Sequence, residues 1–127
     1  MPGTSGVFAQ CYRAGNLVFM SGQTAFTLDG ELVGVGDPAA QTRQACDNIR
    51  RLMEQAGGTI NDVVRMVVYV TNREYRHQVY PELRTAFGEV CPCSTGLVVD
   101  GLARPELLVE IDAYGYIDDT REPVSQA

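Results

Sequence analysis

The sequence predicts a single α+β domain in which a mixed β-sheet carries two helices on one face. Three observations predict it. Two segments place apolar residues at spacings of three and four with a polar opposite side, the pattern of amphipathic helices. Around them lie short β-branched or alternating runs bounded by turn formers. The chain has 127 residues, 45% of them apolar and 20% charged, enough for one core and too few for two. Residues 1–127 are therefore read as one domain, with 118–127 a loose polar tail.

The elements follow in order. Leu17-Val18-Phe19-Met20 lies between Gly15-Asn16 and Ser21-Gly22 and reads as a buried strand, paired as a hairpin with residues 7–12 through Arg13-Ala14-Gly15-Asn16. A loop with one short strand around residues 31–33 follows. Asp37-Pro38 opens the first helix, Asp as N-cap and Pro at the first helical position, where its missing N–H costs nothing. Thr42, Ala45, Cys46, Ile49, Leu52, Met53 and Ala56 form its apolar stripe, and Gly57-Gly58 ends it. The run Val63–Val70 is almost continuously apolar and reads as a central strand covered on both faces. Thr71 and Glu74 have capping-box spacing, and Tyr75, Val79, Leu83, Ala86 and Phe87 then recur at helical spacing up to Gly88. Residues 95–99 and 107–116 are two further strands, the latter alternating Leu108, Glu110 and Asp112 against Leu107, Val109, Ile111 and Ala113. Two helices with one stripe each cover one sheet face. The other face keeps apolar side chains that only an intermolecular partner can cover, a closed symmetric oligomer being the usual form.

Composition excludes several functions. The ten cations are all arginine, against sixteen carboxylates, for a net charge of −6, so the clustered positive field that nucleic acid or an anionic membrane requires is missing. No stretch approaches the roughly 20 apolar residues of a membrane span, and Met1-Pro2-Gly3-Thr4-Ser5 has neither a basic nor an apolar signal region. Four cysteines, at 11, 46, 91 and 93, and the single His77 give no ligand spacing for zinc and no disulfide framework, and free thiols fit a reducing, cytoplasmic compartment.

Three segments, Gly15-Asn16-Leu17-Val18-Phe19-Met20-Ser21-Gly22-Gln23, Gln41-Thr42-Arg43-Gln44-Ala45-Cys46-Asp47-Asn48-Ile49 and Val109-Glu110-Ile111-Asp112-Ala113, resemble the RidA family, also called YjgF or reactive-intermediate deaminase, over residues 6–116. The resemblance implies a chorismate-mutase-like fold, a homotrimer with ligand clefts between subunits, and cofactor-free hydrolysis of enamines and imines such as 2-aminoacrylate to a keto acid and ammonia. It also implies that the deaminase arginine, which lies two residues after a proline and holds the substrate carboxylate, corresponds to Ser94 in Pro92-Cys93-Ser94-Thr95; a hydroxyl cannot replace a guanidinium. The family's site tyrosine corresponds to Phe8, its helix asparagine to Tyr80 and its cleft cysteine to Gly96. Ser21, Gly22 and Glu110 are retained.

Glu110 is thus the candidate acid–base residue, its plain alternative being a solvated outer-face carboxylate, and Asp112 shares its side of the strand. Cys93 is the candidate nucleophile, the alternative being an inert thiol; Cys91 and Cys93 at strand spacing would point to one side without making a metal site. Phe8, Ser21, Gly22, Tyr80, Ser94 and Gly96 are the candidate substrate-binding positions. Tyr80 can donate from its hydroxyl or simply pack, and Arg13 and Arg104 are candidate replacements for the missing cation or merely solvated. Two functions fit: a small-molecule hydrolase acting at an inter-subunit cleft on an altered substrate, or a non-catalytic trimer that binds a metabolite or stabilises proteins.

Overall fold

The structure, a computed structural model, describes residues 4–5, 8–88, 91–118 and 122–124. The order is β1 (Thr4–Ser5), β2 (Phe8–Ala9), β3 (Cys11–Ala14), β4 (Leu17–Met20), α1 (Pro38–Gln55), β5 (Val63–Val70), α2 (Arg76–Phe87), β6 (Cys93–Val98) and β7 (Val109–Tyr116), with single 3-10 turns at Ile60–Asp62 and Arg73–Tyr75. β1 and β2 form a small antiparallel ribbon, and the remaining strands form one sheet in the order β3-β4-β7-β5-β6. Every pairing in that sheet is antiparallel except β5 with β6, which α2 connects as a parallel crossover.

The α1 boundaries follow from local chemistry. The Asp37 side chain accepts from the Ala40 N–H, Pro38 takes the first turn, and Gly57, at φ 99°, leaves the helix in the left-handed region. Its buried stripe, Ala45, Ile49, Leu52 and Met53, packs with Val79, Leu83 and Phe87 of α2 against Val18, Val68, Val109 and Ile111 of the sheet. Each large apolar side chain removed from water in this layer contributes about 1.5–3 kcal/mol. Both helices therefore cover one sheet face, as the periodicity predicts.

Several expectations are corrected. The hairpin turn is the two residues Gly15-Asn16, with Ala14 opposite Leu17, so Arg13 and Ala14 belong to the strand and not to the loop; Val7 lies outside the described residues. Residues 31–33 form no strand but a single bridge, Phe26 opposite Leu32. The second helix is preceded by a 3-10 turn capped by Asn72, whose side chain accepts from the Glu74 N–H, rather than by Thr71. β6 starts at Cys93 and β7 at Val109. β5 lies one strand from the edge, and within the chain only one of its faces is covered: Met66, Val68 and Val70 are buried whereas Val64 and Arg65 are exposed. β7 is the central strand. Of the tail, residues 119–121 and 125–127 lie outside the described residues.

The face away from the helices is bare in the single chain. Register places Leu17, Phe19 and Tyr114 on it, the last two in edge-to-face contact at 6.2 Å, together with Arg65, Tyr69 and Leu97. β6 is exposed along its whole length, Leu97 to 46%. A six-residue edge strand with unpaired backbone groups and an adjoining apolar face is a surface that seeks a partner.

Candidate active site

The retained carboxylate lies on the bare face, over a defect in the sheet. Phe19 stands opposite Tyr114 and Gln23 opposite Ile111, so Met20, Ser21 and Gly22 face only Ala113 and Asp112. This one-residue excess is a β-bulge, a device that re-aims backbone beside sites. The bulge is fixed on both sides. Gln23 and Ile111 exchange backbone hydrogen bonds of 2.8 Å, and the Gln23 amide donates to the Ser21 carbonyl (2.8 Å) and to the Gln10 side chain (3.1 Å). The Glu110 carboxylate rests against Gly22, and a β-carbon there would meet Glu110 Cδ at 2.8 Å and Asp112 Oδ1 at 2.9 Å. Glycine at 22 leaves room for both carboxylates, which a side chain there would displace.

Glu110 is half-buried, and burial first, then the Asp112 charge, raise its carboxyl above the ordinary glutamate value. Asp112 accepts a hydrogen bond of 2.9 Å from the Tyr69 hydroxyl, from the strand beside it. That bond, more than burial, pushes the Tyr69 phenol up. Tyr69 is a site residue that sequence reasoning did not single out. Its signal was its place on the polar side of β5, where a phenol interrupts a β-branched run. A carboxyl whose proton affinity is raised by burial and a neighbouring charge, near a bare surface, is suited to pass a proton to or from a water molecule.

The other candidates gather elsewhere. Ser94 and Gly96 pair with Met66 and Val68, which are buried under the helices, so both point to the helix side of the sheet. There Tyr80 of α2 meets Gly96: a β-carbon at Gly96 would collide with the Tyr80 hydroxyl, and the Arg76 guanidinium lies 5.2 Å from the Tyr80 ring centroid. Glu110 with Gly22, and Tyr80 with Ser94 and Gly96, are thus two half-sites on opposite faces of one chain. The Gly22 and Gly96 N–H groups do not converge on one atom within it.

Cys93, the candidate nucleophile, is set apart from the Ser94 side chain. Strand alternation turns it to the face opposite Ser94, in register with Arg65, whose guanidinium donates to the Thr95 hydroxyl at 2.9 Å. Cys91 precedes β6 and contacts the Gly88 carbonyl, so the two thiols do not share a strand face. Cys46 is buried in α1 and pushed up to about 12 by burial and then by Glu82, a structural thiol. Phe8 is 72% exposed on β2, and the Ser21 hydroxyl donates to the Ala9 carbonyl at 2.8 Å, spending its proton on the ribbon that carries Phe8. Arg13 is not free for a ligand: it donates to the carbonyls of Gly15 and Ala56, closing the end of α1. Arg104 stacks on Phe26 at 5.5 Å and reaches Glu106 at 3.4 Å. His77 is exposed on α2. Among the described residues no three His, Cys, Asp or Glu side chains are grouped to hold a metal ion, and no helix is long and apolar enough to cross a membrane.

The sequence and the fold have counterparts in known proteins. The sequence model of the family described as Endoribonuclease L-PSP matches residues 1–117. A RutC family protein of Pyrococcus horikoshii is 35% identical over 119 residues, covering 91% of this chain and 90% of that protein. The 3-aminoacrylate deaminase RutC of Acinetobacter baylyi is 30% identical over 108 residues, covering 83% of this chain and 82% of that one. Among solved structures, a member of the YjgF/YER057c/UK114 family from Mycobacterium tuberculosis is 37% identical with a TM-score of 0.79, covering 88% of this chain and 89% of that chain. The YjgF gene product of E. coli is 28% identical with a TM-score of 0.83, covering 92% and 93%. A single mixed sheet under two helices and these matches over most of the chain lead to one conclusion: the chain belongs to the RidA/YjgF family.

Proposed function

We propose that the protein hydrolyses a small enamine or imine in a cleft between subunits, with Glu110 as the proton-handling residue and a substrate other than 2-aminoacrylate. The observation that carries this reading is the half-buried, raised Glu110 carboxyl on Gly22 beside Asp112. An enamine first tautomerises to its imine; a water molecule then attacks the imine carbon while Glu110 takes one of its protons and passes it to the nitrogen, giving the neutral carbinolamine, and this collapses as Glu110 relays the remaining hydroxyl proton to the departing nitrogen, giving a carbonyl and ammonia. No cofactor is needed for this balance. The similarity to a 3-aminoacrylate deaminase supports the reaction class, while Ser94 and Gly96 in the other half-site argue for a changed substrate. A nucleic-acid substrate fits poorly with a net charge of −6 and no lysine.

The assembly completes the cleft. Two half-sites on opposite faces of a sheet meet when the bare face of one copy adjoins the β6 edge of the next, and a closed trimer satisfies every copy alike. Light scattering at micromolar concentration is expected to give three times the 13.9 kDa chain mass; a monomer would remove the basis for an inter-subunit cleft.

Freshly generated 2-aminoacrylate is expected to turn over very weakly. Loss of a charged bidentate partner costs about 1.5–3 kcal/mol, roughly 10- to 150-fold in rate when the contact is fully made in the transition state. Hydrolysis at a rate unaffected by this loss would overturn the altered-substrate reading. The second reading, a non-catalytic metabolite-binding or protein-stabilising trimer, draws on the Tyr80 hydroxyl filling the space above Gly96. A panel of imines and enamines on which the purified protein has no activity would favour it.

A further inference from the structure

Asp112 stands between two groups on the bare face. Its Oδ2 accepts from the Tyr69 hydroxyl at 2.9 Å. Its Oδ1 and the Glu110 Cδ lie 2.9 and 2.8 Å from the point where a β-carbon on Gly22 would stand. One oxygen of Asp112 is therefore held by a phenol, and the other is set beside a second carboxylate. Register shows which way the phenol turns. Tyr69 is directly opposite Glu110, and Val67 is opposite Asp112, yet the Tyr69 hydroxyl crosses to the diagonal residue. Among the described residues no donor is bonded to Glu110.

A hydroxyl donated to a carboxylate favours its ionised form, and two carboxylates held this close oppose each other's charge. The one with the donor keeps the charge, and the other keeps the proton longer. The remaining neighbours do not set this asymmetry. The bulge contributes the uncharged Ser21, Gly22 and Gln23. Arg65 of β5 donates to Thr95 on β6, Cys93 pairs with Arg65 at the strand edge, and Tyr114 of β7 packs edge-to-face on Phe19.

We propose that Tyr69 is a positioning residue: by donating to Asp112 it fixes that carboxylate as the negative charge of the pair and leaves Glu110 as the member that exchanges a proton with water. The proposal deepens the hydrolase reading, on which it rests for the use made of that proton. A phenol suits the task because it donates a hydrogen bond without ionising near neutral pH, and the bond to Asp112 pushes the Tyr69 phenol further up. The raised Glu110 carboxyl accords with this, burial and then the Asp112 charge favouring its neutral form.

NMR titration of the side-chain carboxyl and phenol carbons, on the full chain as it assembles, tests this without a substrate. Tyr69→Phe keeps the ring and removes the donor, and the Glu110 midpoint is expected to move to lower pH, toward the ordinary glutamate value. Asp112→Asn keeps the acceptor oxygen and removes the charge, and is expected to move that midpoint the same way. Adding Tyr69→Phe to Asp112→Asn is expected to move it no further, because the phenol acts through Asp112. A Glu110 midpoint unchanged by Tyr69→Phe, or one still shifted by it when Asp112 is Asn, would overturn the proposal. Should Tyr69→Phe not fold, the coupling is read from the other side: Asp112→Asn is expected to lower the Tyr69 phenol midpoint, and a phenol that does not move overturns the proposal equally. On an accepted substrate, the rise of kcat/KM with pH follows Glu110 and is expected to begin at lower pH in Tyr69→Phe. Titrations that shift as expected in a protein that hydrolyses no imine would sink the hydrolase reading and leave the carboxylate pair standing. Hydrolysis that depends on Glu110, with a Glu110 midpoint indifferent to Tyr69, would do the reverse.

Discussion

Glu110→Gln is expected to abolish nearly all turnover of an accepted substrate, by about 100-fold or more, while assembly and fold are kept. The substitution preserves shape over Gly22 and removes only the group that takes and returns the proton. Cys93→Ser is the companion measurement. Cys93 lies at the strand edge beside Arg65, so a water-attack route tolerates its loss within a few-fold; loss of all turnover, with a mass adduct on the wild type, would replace water by a covalent route. The raised Glu110 carboxyl adds two readings in pH. As a base it gains activity as pH rises through a value above the ordinary carboxylate range. For stability, a native value above the unfolded one means that the folded state holds the proton more tightly between the two. Its contribution is therefore present below the unfolded value and lost as pH rises through the native value. Glu110→Gln is accordingly expected to melt no lower than wild type at neutral pH, with any gap closing as pH falls through that window. A variant with full activity would assign Glu110 to the sheet's structure alone.

Much of this site was legible in the sequence because strand alternation is a strict rule. Glu110 and Asp112 fall on one side of the β7 pattern and the core residues on the other, as observed. The same rule places the adjacent Cys93 and Ser94 on opposite faces of β6, so a nucleophile at 93 and a substrate contact at 94 could never have shared one side of a single chain. Other features were not legible. The order β3-β4-β7-β5-β6 puts the last strand in the middle, a long-range choice that no local pattern encodes. The almost continuously apolar Val63–Val70 run, read as covered on both faces, has only one face covered within the chain because both helices pack on the same side of the sheet. The bulge at Ser21-Gly22 depends on the register between residues 19–23 and 111–114. In the sequence it is only a Ser-Gly pair after a strand.

Gln41→Leu is expected to destabilise the protein by about 3–4 kcal/mol, the sum of three lost buried hydrogen bonds at roughly 1 kcal/mol or slightly more each. Gln41 is fully buried in the first turns of α1, and its position continues the apolar stripe through Ala45, Asn48 and Leu52. Residue type, not spacing, concealed it. Its amide donates to the carbonyls of Gly34 (3.1 Å) and Glu106 (2.9 Å), and its oxygen accepts from the Leu108 N–H (2.9 Å). One side chain thus ties the loop before α1 and the segment entering β7 to the same helix. Asn48 does the same for the segment after the bulge, donating to the Phe26 carbonyl at 2.6 Å. Leucine fills a similar volume, so the loss comes from three backbone groups left without their partner and not from a cavity. The melting temperature should fall by about 10–15 °C for a domain of this size. Since Leu108 leads directly into the strand bearing Glu110, the variant is also expected to lose turnover below its melting range. A fall equivalent to less than about 1 kcal/mol would mean that water replaces the amide at all three groups, and that the start of β7 is held by its strand pairing with β5 instead.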